Sequence, residues 1–353
     1  MVVQICCSVD SHYFLRCLKK EFPNENIIGY FYDPNIHPYS EFLLRFEDVK
    51  RSAKSLNIEV FLGDYEIDEW FSYIKGLENE PERGKRCQKC FDFRVEKTAL
   101  FAKKIGHNLI TTTLLMSPKK SHDQLTKSLE NISNKFDLKF IAPDYRKNGG
   151  SNEQFALAKK DNLYHQNYCG CMFAMDFKES LKFELMSPIN NQILPNSADD
   201  RIKFYKKVRK FEEKNIKFQI LKDSFINYRL LQGLVKFDNK PVKSYFLFNS
   251  HLEKKLIKFK ITDKKSKILD LKNQIRLFSF NEFNQILNYK FKNFDEFLNN
   301  PLSIKKELKL RDKICKKGSF SPIIIVDQIY KSQVEIKINS KIYLDIREIL
   351  VRI

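Results

Sequence analysis

The chain has 353 residues, of which 42% are hydrophobic, and it carries a formal net charge of +19 at pH 7. This length favours two domains over one, and the apolar fraction is that of an ordinary globular protein. No run of apolar residues approaches the roughly 20 that a membrane-spanning helix needs, and the first residues look like a strand rather than a charged leader. We therefore expect no membrane association and a cytoplasmic location, where cysteine thiols stay reduced.

The positive charge is concentrated in the second half of the chain. Residues 1–180 contain 26 Lys and Arg against 25 Asp and Glu, whereas residues 181–353 contain 37 against 19. A genome rich in lysine codons would raise the charge along the whole chain and not in one half. A basic half indicates an anionic partner, with nucleic acid first. The composition predicts a nearly neutral domain over 1–180 and a basic extension over 181–353.

In the first half, strand-like and helix-like segments alternate. Predicted strands cover residues 2–7, 27–32, 59–62, 108–115 and 139–142. Predicted helices cover residues 12–22, 39–56, 87–104 and 121–134, and another runs from a turn at 147–151 to residue 161. Strands that alternate with helices indicate parallel β-α-β units, so we expect a doubly wound parallel sheet. In such sheets, functional groups lie at the carboxyl ends of the strands.

The second half lacks this regular alternation. A proline-containing linker covers residues 186–195, and a charged helix follows at about 198–216. The clearest later strands are at 321–326 and 334–338. The pattern predicts a second, basic domain of the α+β class. Lysine-rich segments at 206–210 and 313–317 are candidates for contacts with nucleic-acid phosphates.

Six of the eight cysteines form three close pairs in the first half. Cys6 and Cys7 end the first predicted strand, and Cys87-x-x-Cys90 opens a predicted helix, whose N-terminus favours thiolates. In a reducing compartment such pairs indicate metal binding or catalysis more than structural disulfides. For Cys87 and Cys90 alone, a zinc pair, half of an iron–sulfur site, a redox dithiol and two unrelated core cysteines all stay open. Four soft thiolates together can hold zinc or an iron–sulfur cluster.

The third pair, Cys169-Gly170-Cys171, has only one residue between its cysteines. A disulfide across this spacing closes a small, strained ring, and strained disulfides are typically labile or catalytic. The alternative is two further metal ligands. Asp10, three residues after Cys7, is either a carboxylate ligand or proton donor, or the N-cap of the first helix.

Together these motifs resemble the QueH type of epoxyqueuosine reductase. The matching segments are Cys6-Cys7-x-x-Asp10, Tyr30–Pro38, Cys87-x-x-Cys90-Phe91, Thr111–Pro118 and Tyr168-Cys169-Gly170-Cys171, all within roughly residues 1–180. The resemblance implies a sheet like that of the nucleotide α-hydrolases (the HUP fold). It also implies reduction of epoxyqueuosine to queuosine at the wobble position of tRNA, the last step of queuosine biosynthesis.

The same resemblance assigns roles to the site residues. It implies that Cys6, Cys7, Cys87 and Cys90 are ligands of a [4Fe-4S] cluster. It further implies that Cys169 and Cys171 form a redox-active disulfide. The chemistry of epoxide reduction, rather than the resemblance, makes Asp10 a candidate catalytic group, which would hold a second metal ion that receives the oxygen as a Lewis acid. The implied partners are a tRNA with a queuosine-type anticodon and an electron donor that the sequence does not identify.

Two other functions stay open on the residues alone. A tRNA thiolase or another sulfur-transfer enzyme uses the same type of sheet. Its glycine-rich S-G-G-x-D-S phosphate loop is missing here, since Ser8-Val9-Asp10-Ser11 follows the first strand. A non-catalytic zinc protein that binds RNA would use the thiols structurally. Iron with acid-labile sulfide supports the reductase, and one zinc ion without sulfide supports the binding protein.

Overall fold

The computed structural model describes residues 1–118, 120–166, 168–174, 195–262, 269–271, 275–287 and 291–353. These residues form two compact units. The first takes in the described residues of Met1–Met186, together with Ala198–Ile220 and Leu350–Ile353, and the second takes in Leu221–Ile349 with those of Ser187–Ser197. Of the predicted linker at 186–195, all but the last residue lies outside the described part of the chain. None of the helices in the described ranges is long and apolar enough to cross a membrane.

The first unit is built on a sheet of five parallel strands. In chain order they are β1 (Val2–Ile5), β2 (Ile28–Phe31), β3 (Glu59–Leu62), β4 (Leu109–Thr112) and β5 (Lys139–Phe140). Their order across the sheet is β3-β2-β1-β4-β5, and each neighbouring pair is parallel. The strand order reverses beside β1, as in doubly wound sheets, and this places a crevice at the carboxyl ends of β1 and β4. The predicted parallel α/β class is confirmed.

Helices connect the strands of this sheet and follow its last strand. They are α1 (Ser8–Glu21), α2 (Tyr39–Lys54), α3 (Ile67–Tyr73), α4 (Lys85–Lys104), α5 (His122–Phe136), α6 (Gly150–Lys160) and α7 (Ala198–Glu213), with short 3-10 helices at Thr113–Met116 and Met172–Ala174. The first helix buries Phe14, Leu15 and Leu18 completely. The helix predicted at 12–22 begins earlier, since residues 8–11 form the first turn of α1, because neither glycine nor proline interrupts the helix there.

The central strand carries one polar side chain that ties three strands together. Val2, Val3 and Ile5 are fully buried, and so is Gln4. The Gln4 amide donates to the carbonyl oxygen of Tyr32 at 3.2 Å, and its oxygen accepts from the Thr112 hydroxyl at 2.7 Å. Because a buried amide must have its hydrogen bonds satisfied, this contact fixes the carboxyl edge where β1, β2 and β4 end.

The charged helix predicted at 198–216 is α7, and it belongs to the first unit. Its Ile202 and Tyr205 pack with Leu44 of α2 and with Tyr164. Arg209 of α7 also donates to the Glu47 carboxylate of α2 at 3.0 Å. Residue 180 lies outside the described ranges, so a domain boundary there stays a prediction.

The second unit combines two four-stranded sheets with short helices. Its strands are β6 (Phe218–Phe237), β7 (Lys240–Val242), β8 (Ser244–Phe246), β9 (Leu256–Lys260), β10 (Leu269–Leu271), β11 (Ile275–Ser279), β12 (Ile323–Val326) and β13 (Gln333–Arg352), and its helices are α8 (Phe280–Leu287), α9 (Phe294–Asn299) and α10 (Ile304–Ile314). The sheets have the orders β10-β11-β12-β8 and β7-β6-β13-β9. Of the pairings with a defined register, only β11 with β12 is parallel. This unit mixes helices with mainly antiparallel strands, as predicted.

Candidate active site

A cavity of about 180 Å³ opens at the carboxyl edge of the parallel sheet. Its lining includes the following members of the three predicted cysteine pairs and the nearby carboxylate: Cys6, Asp10, Cys87, Cys90, Cys169 and Cys171. These residues come from the end of β1, the first turn of α1, the start of α4 and the segment after α6. The structure therefore brings together motifs that lie more than 160 residues apart in the sequence.

Cys6 stands at the centre of a group of possible ligand atoms. Its sulfur lies 3.8 Å from the Cys7 sulfur and 3.7 Å from a carboxylate oxygen of Asp10. The other Asp10 oxygen accepts a hydrogen bond of 2.7 Å from the buried Gln154 amide. Ligand atoms of Cys6, Cys7 and Asp10 all lie within 4.8 Å of one another. Since α1 begins at Ser8, the N-cap interpretation of Asp10 is wrong, because the N-cap position is Cys7.

Cys7 differs from Cys6 in its surroundings. Its side chain is 1% exposed and packs with Val9, Ala158 and Leu163, and unlike Cys6 it does not line the cavity. Its hydrogen bond with Cys6 and its burial raise the pKa of the Cys7 thiol well above the ordinary value. The backbone of Cys7 is still extended, and the helix turns immediately after it. The sulfur atoms of these two neighbouring cysteines are nevertheless 3.8 Å apart.

The start of α4 presents Cys87 and Cys90 to the cavity. The backbone N–H of Arg83 donates to the Cys87 sulfur at 3.3 Å, and the indole N–H of Trp70 donates to the Cys90 sulfur at 3.4 Å. Burial raises the pKa of Cys90 to about 11. Donors aimed at sulfur favour a thiolate, so this arrangement suits metal ligands better than unrelated core cysteines.

The backbone of the third pair is held by two other elements. Arg45 of α2 donates to the carbonyl oxygens of Cys169 and Tyr168 at 3.0 and 3.1 Å. The His37 N–H donates to the Gly170 carbonyl at 2.8 Å. Gly170 has a φ of +106°, and a Cβ there would lie 2.8 Å from a side-chain carbon of Ile36. Because of this backbone conformation and this close contact, only glycine fits between the two cysteines.

The two thiols of this pair have unequal environments. Cys171 is buried, and burial raises its pKa to about 12, whereas Cys169 is partly exposed. The Lys120 ammonium lies 3.9 Å from the Cys169 sulfur and above the ring of Phe91. Burial would lower the pKa of Lys120, but the nearby cysteines, Cys169 first, raise it on balance. Of the two sulfurs, that of Cys169 is therefore the more exposed one and the one beside a cation.

Several groups around the cavity carry no signal in the sequence. Arg45, Trp70 and Lys120 lie in or beside ordinary amphipathic segments, and only the fold brings them to the cysteines. Asp33 and Arg94 form a buried ion pair at the cavity wall. Burial raises the pKa of Asp33 to about 6 against the opposing effect of Arg94. In the sequence, Trp70 stands out only as the single tryptophan of the chain.

Fold and site together define a class: an α/β protein with a cysteine-rich cavity at the carboxyl edge of its parallel sheet. The family model described as "Epoxyqueuosine reductase QueH" matches residues 1–176. A curated protein of this name from Helicobacter pylori is 35% identical over 96% of this chain and 97% of its own length. The chain belongs to the QueH family.

Shorter relatives match only the first half. The proteins named epoxyqueuosine reductase QueH from Acinetobacter baylyi and Thermotoga maritima are each 35% identical over 50% of this chain, and the matches cover 80% and 90% of their own lengths. Among solved structures, the U34-tRNA thiolase NcsA from Methanococcus maripaludis with its [4Fe-4S] cluster aligns over 60% of this chain and 72% of its own. The TM-score is 0.32 and the identity is 14%, values too low to support an argument. The second half of this chain is thus shared with the Helicobacter protein and lies outside the matches to the two shorter ones.

Proposed function

We propose that this chain reduces epoxyqueuosine to queuosine at the wobble position of tRNA, the last step of queuosine biosynthesis. The observation that carries the proposal is the single cavity that holds Cys169 and Cys171 together with Cys6, Cys87 and Cys90. Conversion of the epoxide to an alkene breaks two C–O bonds, consumes two electrons and two protons, and releases water. Oxidation of the Cys169 and Cys171 thiols to a disulfide supplies two electrons and two protons. An external electron donor then returns the disulfide to the dithiol.

The donor set of the cavity fits an iron–sulfur cluster. Cys6, Cys87 and Cys90 line one wall, and the Cys7 sulfur adjoins that of Cys6. Thiolates are the ligands that such clusters take, and donors already aimed at the sulfurs, such as the Trp70 indole, tune them further. We assign Cys6, Cys7, Cys87 and Cys90 as ligands of a [4Fe-4S] cluster, which when bound supplies one-electron transfer.

A second metal ion near Asp10 is part of the same proposal. The Asp10 carboxylate lies 3.7 Å from the Cys6 sulfur and is the possible ligand of this group that the cluster assignment does not use, so it would hold the second ion beside the cluster. Gln154 fixes the orientation of this carboxylate, a common duty of groups that surround metal ligands.

Other residues of the chain hold the reacting groups in place. Arg45 fixes the backbone of Cys169, and Lys120 supplies a positive charge beside its sulfur. The apolar side chains of Ile36, Leu114 and Phe155 contribute to the same wall and limit the access of water. The sheet order with its reversal beside β1 supports the finer assignment to the HUP-like folds. Binding of tRNA by the basic second half, and a cytoplasmic location, complete the proposal.

The test is conversion of epoxyqueuosine in a tRNA anticodon stem-loop by anaerobically purified protein. We expect iron with acid-labile sulfide in the protein and the queuosine mass in the product after chemical reduction of the enzyme. Replacing both Cys169 and Cys171 by serine should keep the iron and abolish turnover. One zinc ion without sulfide, and no conversion by the full-length protein, would instead support a zinc-containing RNA-binding protein.

A further inference from the structure

Asn35 lies in the loop between β2 and α2 and forms part of the cavity wall. Its side chain is 2% exposed. The next residue, Ile36, is the one whose side chain contacts Gly170 between Cys169 and Cys171. Asn35 is thus one residue away from the chain segment that touches the proposed redox pair.

The polar groups around Asn35 are engaged within the protein. The Ile36 N–H donates to the Asp33 carbonyl at 3.1 Å, and the Ile36 carbonyl accepts from the Tyr65 hydroxyl at 2.7 Å. On the next residue, the His37 N–H donates to Gly170 and the His37 carbonyl accepts from the Tyr168 hydroxyl. These contacts fix the loop on both sides of Asn35. The backbone on both sides of Asn35 is therefore held in place before any ligand arrives.

The Asn35 side-chain oxygen is the exception to this pairing. It is buried and has no hydrogen-bond partner among the described residues. An unpaired buried acceptor is unfavourable, so such groups in native proteins usually serve a ligand or an ordered water. Here the acceptor belongs to a side chain that lines the cavity holding Cys169 and Cys171, in a loop held by backbone hydrogen bonds.

We infer that the Asn35 side-chain oxygen accepts a hydrogen bond from a hydroxyl group of the substrate carbocycle, and so selects the dihydroxylated epoxide. This inference rests on the proposed function. The epoxide must reach Cys169 and Cys171, and the ring that bears it also carries two hydroxyls. An acceptor beside Ile36 therefore meets this ring and not the distant nucleobase. A site built to bind a hydroxyl discriminates strongly against an analogue without it, because the acceptor is then left unpaired.

The experiment is a double-mutant cycle between Asn35→Ala and the substrate hydroxyls. One anticodon stem-loop carries epoxyqueuosine, and the other carries an analogue whose epoxycyclopentane lacks both hydroxyls. For the unmodified protein, kcat/KM should fall roughly tenfold to hundredfold on the analogue. Asn35→Ala should lose a similar factor on epoxyqueuosine and lose little more on the analogue, because the hydrogen bond is already absent. Asn35→Asp keeps a hydrogen-bond acceptor, so this variant should retain most of the preference for epoxyqueuosine over the analogue.

Gln166→Ala is the matched control. The Gln166 side-chain oxygen is likewise buried and unpaired among the described residues, and Gln166 also lines the cavity, but it lies outside the loop between β2 and α2 that contacts Gly170. This variant should retain the full preference for the hydroxylated substrate. Equal loss by Asn35→Ala on both substrates, with iron content and thermal stability unchanged, would overturn the inference. Absence of turnover by the unmodified protein would instead refute the proposed function.

Discussion

Arg45 donates a hydrogen bond of 3.0 Å to the carbonyl oxygen of Cys169. The same guanidinium donates to Tyr168, and its Nε pairs with the Glu41 carboxylate at 2.9 Å. Arg45 is buried, so these bonds are shielded from water and from salt. The backbone of the Cys169-Gly170-Cys171 segment is consequently anchored to α2 without use of its sulfurs. In the proposed redox cycle, such anchoring would keep the surrounding chain in place while the pair changes oxidation state.

We predict that Arg45→Lys lowers kcat for epoxyqueuosine at least tenfold while the iron content stays near that of the unmodified protein. Lysine keeps the charge but cannot donate to two carbonyls and Glu41 at once, because it lacks the planar fork of arginine. The measurements are single-turnover rates and the accessibility of Cys169 to a thiol reagent, which should rise as the segment loosens.

Arg51→Lys supplies the control for this variant. Arg51 is also a buried arginine of α2 paired with an acid of its own helix, Asp48, but it donates to the carbonyls of Asp161 and Asn162. Both variants should lose stability, and only Arg45→Lys should change Cys169 reactivity. Equal effects on that thiol from both substitutions would show that Arg45 acts through general stability alone.

The sequence predicts the site best where reactive residues stand at the end of a predicted strand or at the start of a predicted helix. Cys6 and Asp10 follow the central strand, and a parallel sheet sends such residues to one edge whatever the details of packing. Cys87 and Cys90 open a helix and share a face by their spacing. The parallel sheet and the gathering of these cysteines could therefore be predicted.

Other features depend on contacts between residues far apart in the sequence, and no local sequence pattern indicates them. The unequal burial of Cys6 and Cys7 arises from α6, whose Ala158 covers Cys7. The packing of α7 on α2 depends on Tyr205 and Leu44. In the sequence, these two residues look like apolar positions of two unrelated amphipathic helices. The length of β13 was underestimated because its later residues alternate between exposed apolar and polar side chains, without the buried run that marks its start.

A second prediction concerns the iron ligands. Cys87→Ala and Cys7→Ala should each lose most of the bound iron and the associated brown colour, because each removes one thiolate of the proposed set. Cys17→Ala is the control, since Cys17 lies in α1 and outside the cavity lining. Iron and sulfide are measured on anaerobically purified protein. Full iron content in either ligand variant would remove that cysteine from the set.

A third prediction concerns the order in which Cys169 and Cys171 react. At pH 8 a thiol with a pKa of about 12 is almost entirely protonated, and Cys171 is also buried. Since only the thiolate is nucleophilic, iodoacetamide should modify Cys169 first in the reduced protein, with Cys171 modified much more slowly. Lys120→Met should slow the modification of Cys169, because this variant has no positive charge beside the sulfur.

Peptide mass spectrometry at successive times measures both reactions. Cys171 modification should accelerate with rising pH, because the thiolate fraction increases tenfold per pH unit below the pKa. Modification of Cys171 before Cys169 at pH 8 would reverse the proposed roles of the two thiols.

The last prediction concerns tRNA binding by the basic second half. Lys313, Lys316 and Lys317 are exposed at and after the end of α10. Contacts between such lysines and phosphates release counterions, so affinity falls with salt by a slope that reflects the number of phosphates neutralised. The segment at 206–210 is a weaker candidate, because Arg209 already binds Glu47. Because α7 packs on α2, truncation near residue 185 would remove α7 and expose the apolar side chains that it covers. Substitutions in the full chain are therefore the better test.

Replacing Lys313, Lys316 and Lys317 together by glutamine should weaken binding of a queuosine-type tRNA severalfold at physiological salt. It should also reduce the slope of log affinity against log salt by about 0.7 to 0.9 for each phosphate that the variant no longer neutralises. The matched control replaces Lys20, Lys103 and Lys104, which are exposed at the ends of α1 and α4 and outside the lining of the cavity. Both triple variants remove the same charge, so a purely global electrostatic effect would change both slopes equally. Equal slopes in the two variants would therefore count against a tRNA-binding role for the 313–317 segment.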